Sequence, residues 1–260
     1  ENKRGEVLAM AEFEEERAEM GLLIDVMSPR YLLYTAPSDI VEHIRLYRKL
    51  GDRFMVWRVD HRKGTDTRRV TLCARDAPGL FSKIAGAFTL NGMQVLDAQV
   101  YTWRNNIALD VFEVKPPVDL IYEAEKWRRA EADLRAALSG DLDLATALKE
   151  RLADYGDARP ETTRHPSKIV VDNESSSFFT IIEVFSYNSP GLLFGVTDAL
   201  FQCRLDVWIA KVATKVDQVV DVFYVRDFDG QKVDAPDQVA LIREAVDRVL
   251  RETLPEEDTF

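Results

Sequence analysis

Apolar residues in this chain alternate between a period of two and a period near four, and the alternation itself occurs twice. A β-rich run, Val70 to Ala74 and again Phe179 to Ser186, stops at a short turn containing Pro and Gly. A helix follows in each case. Its apolar positions, Leu80, Ile84 and Phe88 in the first and Leu192, Val196 and Leu200 in the second, mark one buried face. Two strands come next: Val95 to Trp103 with Ile107 to Val114, joined through Arg104-Asn105-Asn106, and Leu205 to Thr214 with Gln218 to Val225, joined through Lys215-Val216-Asp217. A second helix closes each unit, Leu120 to Leu138 and Gln238 to Leu254. Ile121, Ala124, Leu134 and Leu138, and Val239, Ile242, Val246 and Leu250, are its predicted inward positions.

The two stretches align residue by residue, so the chain contains one unit twice. Arg75-Asp76-Ala77-Pro78-Gly79-Leu80-Phe81 falls on Tyr187-Asn188-Ser189-Pro190-Gly191-Leu192-Leu193. The register then runs without a gap through Val95 with Val207 and Thr102 with Thr214. One residue is dropped, and Asp110-Val111-Phe112-Glu113-Val114 meets Asp221-Val222-Phe223-Tyr224-Val225. Asn91-Gly92 ends the first helix as a left-handed cap, whereas Cys203-Arg204 stands there in the second and predicts a softer boundary.

Strand-helix-strand-strand-helix is the split βαβ plan, which needs a fourth strand. Neither unit offers one after its second helix, but both carry a strand-like run before the first, Phe54 to Val59 and Lys168 to Asp172. The expected fold is therefore α+β: two ferredoxin-like units in permuted ββαββα order, preceded by a short helical segment. The expected domains are helical residues 1–51, a first unit at 52–140, a linker with a short helix (Leu144 to Leu152) at 141–167, and a second unit at 168–260. Gly156 to Pro166 reads as the linker proper. The chain begins at Glu1 inside a charged helical pattern and reads as a fragment, a natural stand-alone protein being the alternative.

Composition narrows the function. The 260 residues carry 34 Lys plus Arg against 45 Asp plus Glu, a formal charge of −11, with 46% hydrophobic and 30% charged residues. That balance suits a packed globular chain, and an acidic surface repels a phosphate backbone, so nucleic acid is not the expected partner. Cys73 and Cys203 sit in apolar stretches with no second Cys or His at metal-ligand spacing, which predicts buried thiols. With no signal-peptide pattern and no run of about 18 apolar residues, the expected location is the cytoplasm, away from membranes.

The duplicated Asp/Asn-x-Pro-Gly-Leu turn resembles the signature of the ACT domain, a small regulatory module that binds amino acids. Three further stretches are similar to the carboxyl-terminal end of the bifunctional PII uridylyltransferase/uridylyl-removing enzyme family. They are Pro29-Arg30-Tyr31-Leu32-Leu33 with Pro37 to His43, the segment Leu134 to Leu144, and Val170-Val171-Asp172-Asn173-Glu174 followed by Thr180 to Val184. The resemblance implies glutamine, or another amino acid, as ligand and the PII protein as partner of the parent enzyme. It also implies a divalent metal such as Mg in the parent but no cofactor in this chain, and an expected homodimer through the ACT units.

The family's catalytic motifs, a Gly-Ser turn with a paired carboxylate and a His-Asp metal pair, are missing. Of the three histidines, His43, His61 and His165, none precedes Asp. This chain by itself is not expected to catalyse anything. Asp227-Phe228-Asp229-Gly230 imitates a carboxylate pair but reads as a turn, and Asp141-Leu142-Asp143 reads as a helix start.

An α-amino acid needs N–H donors for its carboxylate and an oxygen for its ammonium, and a loop entering a helix supplies both. The candidate ligand residues are accordingly Asp76, Ala77, Pro78, Gly79 and Leu80, with Asn188, Ser189, Pro190, Gly191 and Leu192 in the second unit. In ACT domains a polar side chain at the start of the second strand also contributes, which the resemblance places at Gln94 and Asp206. Helix capping is the competing role for Asp76 and Asn188. The basic stretch Arg58, His61, Arg62, Lys63, Arg68 and Arg69 reads as a solvated hairpin around Gly64 because Asp60 and Asp66 break its field. The rival function is a stand-alone tandem ACT protein that assembles and binds no ligand.

Overall fold

A computed structural model describes residues 2–62, 64–117, 119–153, 167–187, 189–215 and 218–253. Internal contacts group the chain into two compact units, Glu1–Ala77 with Gln99–Phe112, and Pro78–Ala98 with Glu113–Phe260.

The first unit opens with helices α1 (Asn2–Leu8), α2 (Glu14–Val26), α3 (Pro29–Tyr34) and α4 (Pro37–Leu50). Their ends follow local chemistry. Ser28 Oγ accepts from the Tyr31 N–H at 3.3 Å, with Pro29 in the first turn of α3. α4 has Asp39 near its start and Arg48 and Lys49 near its end, as the helix dipole favours, and stops at Gly51 with φ +49°.

Strands β1 (Met55–His61) and β2 (Arg68–Arg75) pair antiparallel from Met55 opposite Ala74 to His61 opposite Arg68. With β3 (Gln94–Thr102) and β4 (Ile107–Lys115) they complete a sheet of order β1-β2-β4-β3, so the preceding strand takes the vacant edge as expected. The helices share a core with this sheet. Ile40, Ile44 and Leu50 of α4 belong to one buried cluster with Val56, Cys73, Tyr101, Trp103, Ile107 and Leu109. Tyr31 meets the rings of Tyr101 and Trp103 edge-on at 5.2 and 5.7 Å. Tyr31 Oη lies 2.8 Å from His43 Nδ1, and burial pushes the His43 pKa down to about 4.

The second unit holds α5 (Leu80–Leu90), a single 3-10 turn at Leu120–Tyr122, α6 (Glu123–Ser139) and α7 (Leu144–Ala153). β5 (Lys168–Asp172), β6 (Thr180–Tyr187), α8 (Leu192–Gln202), β7 (Leu205–Lys215), β8 (Gln218–Asp227) and α9 (Pro236–Thr253) follow. Its sheet runs β5-β6-β8-β7, antiparallel throughout, the same order as the first. The fold is α+β, two ferredoxin-like sheets in ββαββα order after a helical segment. Helices approach closely where side chains are missing: a Cβ at Gly195 of α8 would lie 2.7 Å from Val249 of α9, and one at Gly86 of α5 would lie 2.8 Å from the Phe194 ring of α8.

Two predicted inward positions are corrected. Ile121 is 87% exposed and Ala124 is exposed, because the 3-10 turn delays the helix to Glu123. The buried stripe of α6 is set instead by Trp127, Ala130, Leu134 and Ala137. α8 ends at the position that matches the end of α5, and Arg204 takes the left-handed conformation, φ +61°, that Gly92 supplies in the first repeat, with its guanidinium 5.1 Å from the Phe228 ring centre. Residues 154–166, which include all of the linker proper from Gly156 to Pro166, lie outside the described residues, as do Lys63, Val216 and Asp217.

Candidate functional site

Each Pro-Gly turn takes the shape its sequence requires. Gly79 (φ +73°) and Gly191 (φ +85°) occupy the N-cap positions of α5 and α8 in the left-handed region, which a side chain disfavours. Neither helix has a side-chain cap there. Leu80 and Leu192 are buried and start the apolar stripe, while Pro78 and Pro190 are exposed. In the second turn the Leu192 N–H donates to the Ser189 carbonyl at 3.1 Å. Among the described residues the matching Leu80 N–H finds no backbone acceptor, leaving a donor of the kind helix starts offer.

Asp76, half-buried after β2, is held by its own surroundings. Its N–H donates to the Asn106 carbonyl at 3.0 Å, and its carboxylate accepts from the Thr102 hydroxyl at 3.4 Å and from the Ala77 N–H. Burial raises its pKa, and those two hydrogen bonds oppose the rise. The carboxylate is thus not spent as a helix cap. Gln94 and Asp206 stand half-buried at the starts of β3 and β7, and Asp206 is the register partner of Arg226. Asn188 lies outside the described residues.

Sequence reasoning missed Phe201. A Cβ at Gly79 would lie 3.2 to 3.3 Å from three atoms of its ring, so the ring rests on the glycine of the first turn. Phe201 in turn stacks at 5.7 Å on Phe228. The only sequence signal was an asymmetry, since the repeat places Thr89 at the matching position. Gly79→Ala is expected to lower stability by roughly 1–2 kcal/mol, from the left-handed backbone and the crowded ring together, measurable as a shift in urea midpoint.

The other candidates resolve as turns and packing. Asp227 Oδ1 accepts from the N–H groups of Asp229 (3.0 Å) and Gln231 (2.7 Å), and Asp143 Oδ1 accepts from the Ala145 N–H at 3.0 Å to start α7. The basic hairpin is neutralised in part by Asp60 of its own strand and by α4: Arg58 pairs with Asp60 (2.7 Å) and Glu42 (2.6 Å), and Arg69 approaches Asp39 at 3.8 Å. Arg68 is buried rather than solvated, giving hydrogen bonds to the carbonyls of Asp66 and Thr67. A surface groove of about 360 Å³ lined by Glu42, Arg45, Leu46, Arg48, Lys49 and Arg58 contains none of the candidate ligand residues. Among the described residues no three His, Cys, Asp or Glu gather as metal ligands, and no helix is long and apolar enough to cross a membrane. Cys73 is buried, its thiol pushed up to about 12 by burial; Cys203 is half-buried.

A duplicated ferredoxin-like sheet, each copy with a left-handed glycine at the start of its first helix, defines the chain as a tandem α+β module. No family model matches it. The chain is 34% identical over 238 residues to the bifunctional uridylyltransferase/uridylyl-removing enzyme of Rhodospirillum rubrum, covering 89% of this chain and 25% of that protein. The enzymes of the same name from Azospirillum brasilense (35% over 184 residues, 70% of this chain, 20% of the relative) and Gluconobacter oxydans (36% over 181 residues, 69% and 19%) agree. The chain is a relative of the bifunctional uridylyltransferase/uridylyl-removing enzymes, matching one region of them and spanning about a quarter or less of their length. Among solved structures, an unknown protein from Galdieria sulphuraria aligns over 72% of this chain and 92% of its own at 14% identity, with a TM-score of 0.22 that carries no argument.

Proposed function

We propose that this chain is the regulatory carboxyl-terminal region of a PII uridylyltransferase/uridylyl-removing enzyme, and that its ferredoxin-like units are ACT units that bind glutamine. The observation that carries the reading is the first Pro-Gly turn. Its Leu80 N–H has no backbone acceptor among the described residues, and Asp76 keeps its carboxylate out of any helix cap. Donors of the first kind suit an amino-acid carboxylate, and an acidic oxygen suits its ammonium. The second turn is the weaker candidate, because the Leu192 N–H is already spent on Ser189.

In the parent enzyme, glutamine would act by binding one arrangement of the regulatory region better than another, since equal affinity shifts nothing. That would bias the absent catalytic regions toward removing uridylyl groups from PII. Any divalent metal such as Mg would belong to those regions.

Titration calorimetry of this chain with glutamine, glutamate and asparagine tests the reading. Millimolar glutamine affinity corresponds to about 4 kcal/mol, within reach of two or three charge-assisted hydrogen bonds at roughly 1.5–3 kcal/mol each. The expected result is a glutamine-selective heat that Asp76→Ala weakens at least roughly tenfold, the loss of one such bond. Absence of any glutamine-specific heat at tens of millimolar would remove the sensor and leave a scaffold.

A further inference from the structure

The neighbours of the first Pro-Gly turn come from the other repeat. Helices α5 and α8 run antiparallel and approach at glycines: a Cβ at Gly79 would meet the Phe201 ring at 3.2 Å, and one at Gly86 would meet the Phe194 ring at 2.8 Å. Each step forward along α5 is a step back along α8, so the same register brings Thr89, near the end of α5, opposite Gly191. The two turns are therefore bordered differently.

Beside the first turn stands a set of three side chains that the second lacks. The Phe201 ring packs on Phe228 at 5.7 Å, and the Arg204 guanidinium lies 5.1 Å from the Phe228 ring centre. The repeat places Thr89, Pro117 and Gly92 at those three positions, and a Cβ on Gly92 would be 3.9 Å from Pro117. That trio offers neither an aromatic ring nor a charge, and the Thr89 hydroxyl donates to the Ala85 carbonyl of its own helix at 2.9 Å.

The Phe201 set opens to solvent along its length. Phe201 is half-buried, Phe228 is 38% exposed and Arg204 is exposed. An open apolar wall with a polar group at its far end is the form of a ligand site rather than of a core. Arg204 keeps a side chain where the left-handed backbone favours glycine, and among the described residues its guanidinium pairs with no carboxylate.

An amino acid held by its carboxylate on the Leu80 N–H would have the Phe201 ring beside it, because that ring rests on the preceding residue. Methylene groups pack against an aromatic face, and a guanidinium beyond the second ring can donate to an oxygen at the end of the stem. We infer that Phe201, Phe228 and Arg204 form the side-chain pocket of the first turn and select an α-amino acid whose methylene stem ends in an oxygen acceptor. Glutamine and glutamate both fit that description; alanine lacks the stem and norvaline lacks the oxygen. The inference rests on the reading of the first turn as an amino-acid site and adds which side chains choose among amino acids. It also gives each chain one selective site, since Thr89, Pro117 and Gly92 provide no such wall.

Heteronuclear NMR titration of the chain with glutamine, norvaline and alanine tests it, with the Leu80 amide as reporter. Glutamine is expected to bind more tightly than norvaline, and norvaline more tightly than alanine. Phe201→Ala is expected to weaken glutamine and norvaline roughly fivefold and to leave alanine within roughly twofold, as loss of an apolar wall does. Arg204→Gly is expected to weaken glutamine roughly fivefold and leave norvaline unchanged, as loss of one exposed hydrogen bond does. That variant restores the residue the backbone prefers, so the fold is kept. Affinities for all three ligands that neither substitution changes overturn the inference. So does a Phe201→Ala chain that loses alanine as much as glutamine, because the ring then only shapes the turn. A wild-type chain that takes up none of the three removes the amino-acid site itself, and its pocket with it.

Discussion

Asp221→Asn is expected to raise stability by about 3 kcal/mol at pH 8 and by close to nothing at pH 4, an effect that follows from the missing charge. Asp221 lies in the middle of β8, 1% exposed, between Val184 on β6 and Val212 on β7. Its carboxyl accepts from the Ala213 N–H, but Oδ1 has no partner, and burial pushes its pKa up to about 7, with the Ala213 hydrogen bond acting the other way. Well below the ordinary aspartate pKa of ~4 the group is protonated both folded and unfolded, and costs nothing. As pH rises through the ordinary aspartate range the unfolded chain releases the proton while the folded chain retains it, so stability falls. The fall ends near pH 7, where the native group also ionises, with a total of about 4 kcal/mol at most. The amide has the same shape and cannot ionise. Urea denaturation of both proteins at pH 4 and pH 8 checks this; a gain of equal size at both pH values would show that ionisation is not the cause.

Trp103→Ala is expected to cost about 3–5 kcal/mol, as for other large aromatic deletions in a core. Trp103 is among the largest fully buried side chains, and it touches Tyr31 of α3 and Tyr47 of α4 at ring separations of 5.7 Å each. It therefore ties the helical segment to the sheet face. Amide hydrogen exchange should show the loss first in α3 and α4, whose protection would fall while that of β6 and β8 stays near wild type. Uniform loss of protection across all of these would mean that the helices are not a separately weakened layer.

The contrast between the two turns explains why some of this was legible in the chain and some was not. The Pro-Gly turns were readable as turns because Pro and Gly punctuate the chain locally, and the structure adds that Gly79 and Gly191 are left-handed. The four-residue spacing of Leu80, Ile84 and Phe88, and of Leu192, Val196 and Leu200, reported buried faces because helix geometry fixes which positions align. Ile121 was misread for a local reason of another kind: nothing in its apolar character says that the backbone is still in a 3-10 turn. The site was less legible. Its residue types could be named, but capping and ligand binding use the same oxygen of Asp76, and only the bonds to Thr102 and Ala77 separate them.

The duplication, the strand and helix order and the relation to a region of the uridylyltransferase/uridylyl-removing enzymes were determined by the amino-acid sequence alone, since each rests on period, turn chemistry and identity along the chain. Which sheet face is covered, where Asp221 is stripped of water and that the Phe201 ring rests on Gly79 were decided only by the tertiary structure. Burial depends on residues distant in the chain, and a Leu or an Asp carries no local mark of what will be packed against it.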